Sequence, residues 1–206
     1  MRRLVARPGS RLLVTALAAL ALVGMLVVRT TQAAFTAATS NEPNSFTAGT
    51  VVLTDDDEGE AMFEVAGMVP GDVVEHCIEV TYAGTVTGSV GEVRLYSGGY
   101  TQLPGPAADS EGLDEHLLLA VDLGTGASFG DDCAGFEVIG LSGFVPLASF
   151  ASSHFHYGSG VARWQPDVSP SSRSYRFRFQ LDPATPNSEQ GAGVSDVVFV
   201  WEIRTT

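Results

Sequence analysis

The chain has 206 residues, with 11 basic side chains, 24 acidic ones, a formal net charge of −13 and no lysine. A surface of that sign repels phosphate backbones and anionic lipid, which argues against nucleic-acid binding and electrostatic membrane docking. The length suits one sizeable core, and no low-complexity stretch marks a boundary between two domains.

At the start, Arg2, Arg3, Arg7 and Arg11 precede an apolar run from Leu12 to Val28, and Thr31-Gln32-Ala33-Ala34 supplies small residues for a signal peptidase. Residues 1–33 are expected to be a signal peptide, cut after Ala33 or Ala34, and residues 34–206 to be one exported domain. The run is about 17 residues long, at the low end for a membrane span. An uncleaved anchor with its basic end inside is therefore the alternative, and it is the only expected link to a membrane. Cleavage removes five arginines and no acid, leaving six basic residues against 24 acidic ones, a net charge of −18. Acidity of this kind keeps an exported protein soluble.

Ala34, Phe35, Thr36, Ala37, Ala38 and Thr39 come next, small and β-favouring residues around one aromatic. Asn41-Glu42-Pro43-Asn44 then breaks the chain before a strand expected from Ser45 to Thr54. By composition alone, Ala34 to Thr39 reads equally as a frayed terminus. Asp55-Asp56-Asp57-Glu58-Gly59-Glu60 lacks the spaced ligands and the distal bidentate glutamate of an EF-hand, so a solvated turn is expected there rather than a calcium loop.

Beyond this point the pattern is mainly of period two. Val74, His76, Ile78, Val80 and Tyr82 share one face against Glu75, Cys77, Glu79 and Thr81, which predicts a half-buried strand. Leu117, Leu119, Val121 and Leu123 alternate in the same way, as do Tyr175, Phe177, Phe179 and Leu181 against Arg176, Arg178 and Gln180. Val197, Phe199, Trp201 and Ile203 share a face, and Val198 and Val200 make the other partly apolar, as in a central strand covered on both sides. Pro70-Gly71-Asp72, Ser97-Gly98-Gly99, Pro104-Gly105-Pro106, Gly124-Thr125-Gly126 and Asp182-Pro183 read as turns. A short helix is expected behind Pro146, where Leu147, Phe150 and Ala151 have helical spacing. The fold class that follows is all-β, an antiparallel jelly-roll-like β-sandwich with one short helix.

Cys77 and Cys133 are the only cysteines, and in an exported chain an even pair is most simply a disulfide. Two free thiols or a metal pair is the rival reading, but neighbouring ligands at zinc-site spacing are missing. No His-Glu-x-x-His occurs. The one close histidine pair, His154 and His156, either shares a strand face or lies in a loop beside the short helix. No serine lies in Gly-x-Ser-x-Gly between a strand and a helix, and the short glycine pairs lack the spacing and the lysine of a phosphate loop. No catalytic, metal or cofactor residue is assigned on these grounds.

The segments AAFTAATSNEPNSFTAGTVVLTDDD, MVPGDVVEHCIEVTYAGT, GEVRLYSGG, CAGF and NSEQGAGVSDVVFVWEI, in that order, resemble the TasA/camelysin family of exported Gram-positive surface and biofilm-matrix proteins. The resemblance implies a jelly-roll fold and a subunit that self-associates into fibres, the segment behind the cleavage site entering the sheet of the next copy. Ala34, Phe35, Thr36, Ala37, Ala38 and Thr39 are then a donor strand that gains main-chain hydrogen bonds along a neighbour's edge, within a donor region of residues 34–44. Family members have also been described as metalloendopeptidases. The expectations are thus a secreted structural protein without enzymatic activity; the alternatives are a camelysin-type metalloendopeptidase and a carbohydrate- or protein-binding module using Tyr96, Tyr100, Tyr157 or Trp164.

Overall fold

The computed structural model describes residues 36–39, 50–86, 90–107, 109–130 and 132–205. The expected signal peptide, its cleavage site, Ala34, Phe35 and the break at 41–44 lie outside the described residues.

Two antiparallel sheets pack as a sandwich. One contains four strands in the order β1 (Thr36–Thr39), β10 (Gly193–Arg204), β4 (Val93–Leu103) and β8 (Val161–Trp164). The other runs β2 (Leu53–Asp55), β3 (Val73–Tyr82), β9 (Ser171–Leu181), β5 (Leu117–Thr125) and β6 (Glu137–Gly140), with β7 (Val145–Pro146) also on β5. From β3 to β5 and again from β8 to β10, successive strands alternate between the sheets, as in a jelly roll. Pro146 precedes the α-helix α1 (Leu147–Ser153), and its extended backbone gives the chain an abrupt entry into the first turn.

Alternation builds the core. Ile78, Val80 and Tyr82 of β3 and Tyr175, Phe177 and Phe179 of β9 are buried against Leu95 of β4 and Phe199, Trp201 and Ile203 of β10. The Phe177 and Phe199 rings sit 4.5 Å apart between centroids, and Tyr175 meets Trp201 edge-on at 5.5 Å. These are the inward faces that period two predicts. On the opposite face of β3, Cys77 joins Cys133 in a disulfide spanning 56 residues, and Ala127 and Phe136 pack around it.

Five expectations change. Of the strand expected from Ser45 to Thr54, the described part is extended in β2 only from Leu53, and residues 45–49 lie outside the description. Ser97-Gly98-Gly99 is no turn but the middle of β4, where the register against β10 shifts around Val198. Gly98 is needed there because a Cβ would come within 2.7 Å of the Val198 side chain, and Gly99 has φ +117°. Gly124 and Thr125 likewise finish β5, leaving only Gly126 to turn. The supposed solvent face of β5 is buried, with Ala120 at 1% and Asp122 at 0% exposure, because residues 136–144 fold over it. Finally, β10 is central in its sheet, yet Val198 on its outer face remains exposed.

Candidate functional site: an N-terminal strand on the β10 edge

β1 is an addition at the rim of the four-stranded sheet. Its register against β10 pairs Thr36 with Arg204, Ala37 with Ile203, Ala38 with Glu202 and Thr39 with Trp201. The segment from Thr36 to Thr39 is thus a strand rather than a frayed end, and it lies on the edge of its own subunit.

The edge it covers is finely built. Trp201 and Ile203 point inward and are fully buried, so the strand is anchored through the core. Glu202, on the outer face, is 4% exposed and accepts hydrogen bonds from Tyr96 Oη at 2.7 Å and Arg204 Nε at 2.6 Å. Burial first, and then the hydrogen bond and charge of Glu202, push the Tyr96 phenol up to about 12. Arg204 and Arg94 lie over the Tyr157 ring, at 4.5 and 4.6 Å from its centroid. A main-chain ladder beside a prepaid arrangement of this sort can accept any strand of matching register, because the bonds it makes are between backbones.

The other residues singled out by the sequence have structural work. Asp56 is no solvated turn residue: its carboxylate accepts from the Glu79 and Phe129 N–H groups, both at 2.7 Å, and ties β3 to the loop that follows β5. Asp57 is 3% exposed and caps Gly59 N–H at 2.8 Å. His154 ends α1, with Nδ1 2.7 Å from Ser159 O, and His156 Nδ1 accepts from Ser159 N–H at 3.2 Å, so the pair lies in a loop beside the helix and not on a strand. Among the described residues, no three His, Cys, Asp or Glu side chains converge as metal ligands. Tyr100 donates to Asp114 at 2.6 Å, Tyr157 donates to Glu92 O at 3.0 Å, and the buried Trp164 donates to Tyr175 at 3.0 Å.

Two charged clusters gave no sequence signal. Asp122, fully buried on β5, receives Arg176 at 2.9 Å and Arg178 at 3.0 Å and accepts from Ser142 N–H at 2.9 Å. The two guanidinium groups also stack on Phe136 and Phe144. At one end of the sandwich, Asp114 accepts from Tyr100 and Gln102, while Glu189 accepts from Ser110 Oγ and from the N–H groups of Glu111 and Gly112. Burial alone acts to raise the Glu189 carboxyl, but these hydrogen bonds outweigh it and hold the group below its ordinary value. Every carboxylate oxygen in these clusters accepts at least one hydrogen bond, which makes them clasps between segments distant in sequence.

Comparison with family models, with curated proteins and with solved structures finds no match. No described helix is long and apolar enough to cross a membrane.

Proposed function

We propose that this chain is an exported structural subunit of the cell surface or extracellular matrix, and that it assembles by lending Ala34 to Thr39 to the β10 edge of a neighbouring copy. The observation behind the reading is the four-residue ladder between β1 and Trp201–Arg204. A strand held at the rim by a ladder this short exchanges between copies with little change in hydrogen bonding, as in domain swapping. When every copy lends forward and receives from behind, the contact is heterologous and does not close, and a filament results.

Other features agree. The Cys77–Cys133 disulfide suits an oxidising compartment. The acidic, lysine-free surface keeps free subunits apart until a specific contact is made. Phe35 is the one aromatic residue of the lent segment and the anchor assigned to it in this reading. Before cleavage the same segment is tethered to the membrane, which couples assembly to release.

Negative-stain microscopy across a concentration series tests the reading. The exported protein should form filaments or ordered assemblies, and deletion of Ala34 to Ser40 should abolish them while leaving a folded monomer. Phe35→Asp should do the same by forcing a carboxylate into an apolar site. Normal assemblies from either variant would overturn the proposal.

A further inference from the structure

Between Glu137 and Arg163 the sequence holds no aspartate, glutamate, lysine or arginine, the longest such stretch in a chain whose net charge is −13. Part of it forms α1, but β6 and the residues after it stand in solvent: Val138, Ile139, Leu141 and Val145 are 48, 58, 70 and 40% exposed. β6 follows β5 only as far as Leu123 opposite Gly140, and the chain then bulges away until Val145 rejoins β5 opposite Leu119. Ser142 fixes the bulge, its Oγ accepting from Val121 N–H at 2.6 Å and its N–H binding Asp122. Ile139, Leu141 and Val145 are thereby held together at one place on the surface. Single apolar side chains in solvent are ordinary, whereas a group of them fixed by the backbone marks a contact with another molecule.

The pairing of β6 decides how that molecule can bind. The register against β5 skips Ile139 between Val138 and Gly140, and a bulge in an edge strand disrupts the regular row of main-chain groups that an added strand needs. The contact is therefore made by side chains. Charge decides what the molecule is. Glu137 is exposed at one border of the apolar group, and Arg163 of β8, half exposed, lies at another, its ion pair with Glu92 long at 3.8 Å and weak. A surface with an acid at one border, a base at another and no charge between them is complementary to itself. Turned about a two-fold axis, each Glu137 meets the Arg163 of the other copy while the apolar side chains meet across the axis. Elsewhere, two copies so rich in acid repel one another.

We propose that this surface is an isologous contact between two copies of the chain, with Val138, Ile139, Leu141 and Val145 packed on their counterparts and Glu137 paired with Arg163 across the axis. The contact is separate from the β1–β10 edge, does not depend on strand exchange and closes at two copies. It is small beside the roughly 1,000 Å2 of a stable complex, so dilute subunits are monomers that pair reversibly as concentration rises. Sedimentation velocity over a concentration series tests it, because a closed dimer gives one discrete species and an open filament does not. Ile139→Lys and Leu141→Asp, both on exposed side chains, should each weaken the dimer at least about tenfold by placing charge in its apolar centre. Glu137→Arg alone and Arg163→Glu alone should also weaken it, each by setting like charges face to face, and the two together in one chain should restore it. An unchanged unfolding midpoint verifies the fold of each variant. Absence of a dimer at every concentration, indifference of the dimer to Ile139→Lys, or failure of the double charge exchange to restore it would overturn the proposal. Binding of the unaltered chain to phosphatidylcholine vesicles, lost in Ile139→Lys and unaccompanied by a dimer in solution, would also overturn it, since the surface would then belong to lipid.

Discussion

Single buried charges decide how segments far apart in the chain are fastened. Asp122 is the strongest case, because its side chain is fully buried and its carboxylate holds both Arg176 and Arg178. Asp122→Ala leaves two guanidinium groups without their counter-charge, and since both arginines are partly exposed the cost should fall toward the lower end of about 3–5 kcal/mol, read from denaturant midpoints. Glu189 contributes to stability against acid. Its folded pKa lies below that of the unfolded chain, so its contribution is complete above the ordinary carboxylate range and is lost as pH falls through the folded value. Glu189→Gln should lower stability at neutral pH and flatten the acid limb of a stability profile. Tyr96 and Tyr100 act in the other direction: burial first, then the carboxylates of Glu202 and Asp114, push both phenols up to about 12. Their contribution is complete below about pH 10 and disappears as pH rises toward 12, so the part of the tyrosinate absorbance that Tyr96→Phe and Tyr100→Phe remove should appear together with unfolding rather than before it. None of this could be read from the sequence, because Asp122 and Arg176 are 54 residues apart and Glu189 and Gly112 are 77 apart, and no local spacing brings them together. The cysteine pair was legible because two cysteines leave one pairing.

Strands whose two faces differ were readable, and those covered on both sides were not. β3, β9 and the inward face of β10 follow period two, since each buries one row of side chains in a shared core. Phe179→Ala or Trp201→Ala should therefore cost roughly 3–5 kcal/mol, and an unchanged unfolding midpoint would show that the rings do not carry the core. β5 misled because its outer face is covered by a loop with no period of its own, and Ser97-Gly98-Gly99 misled because glycine serves a close crossing of β4 and β10 as readily as it serves a turn. The disulfide fastens β3 to the connection between β5 and β6. The chain-entropy model for a loop of 56 residues gives about 4 kcal/mol, so the double variant Cys77→Ala, Cys133→Ala should unfold at clearly lower denaturant, and an equal midpoint would remove the bridge from the stabilising interactions.

At the level of the whole molecule, the sandwich presents one rim closed by its own N-terminal strand and another opened by the bulge after β6. The all-β class was visible in the alternation and the turns, while the strand on the β10 edge was foreshadowed only by composition and resemblance, since a ladder between main chains leaves no mark in side-chain pattern beyond small and β-favouring residues. An edge strand left bare invites uncontrolled pairing, and β1 on the β10 edge removes that hazard; under the proposed exchange it would leave only when a neighbour supplies another strand. Exchange of β1 between copies is the central claim, and cross-linking tests it most directly. Thr36 stands opposite Arg204 in the register, within the Cα separation that a disulfide can span. Thr36→Cys and Arg204→Cys chains, purified separately, mixed at assembling concentration and oxidised, should give a covalent dimer joined between residues 36 and 204, identified by peptide mapping. Only uncross-linked chains from the mixture, alongside efficient internal bonding in a chain carrying both substitutions, would mean that the strand never leaves its own subunit.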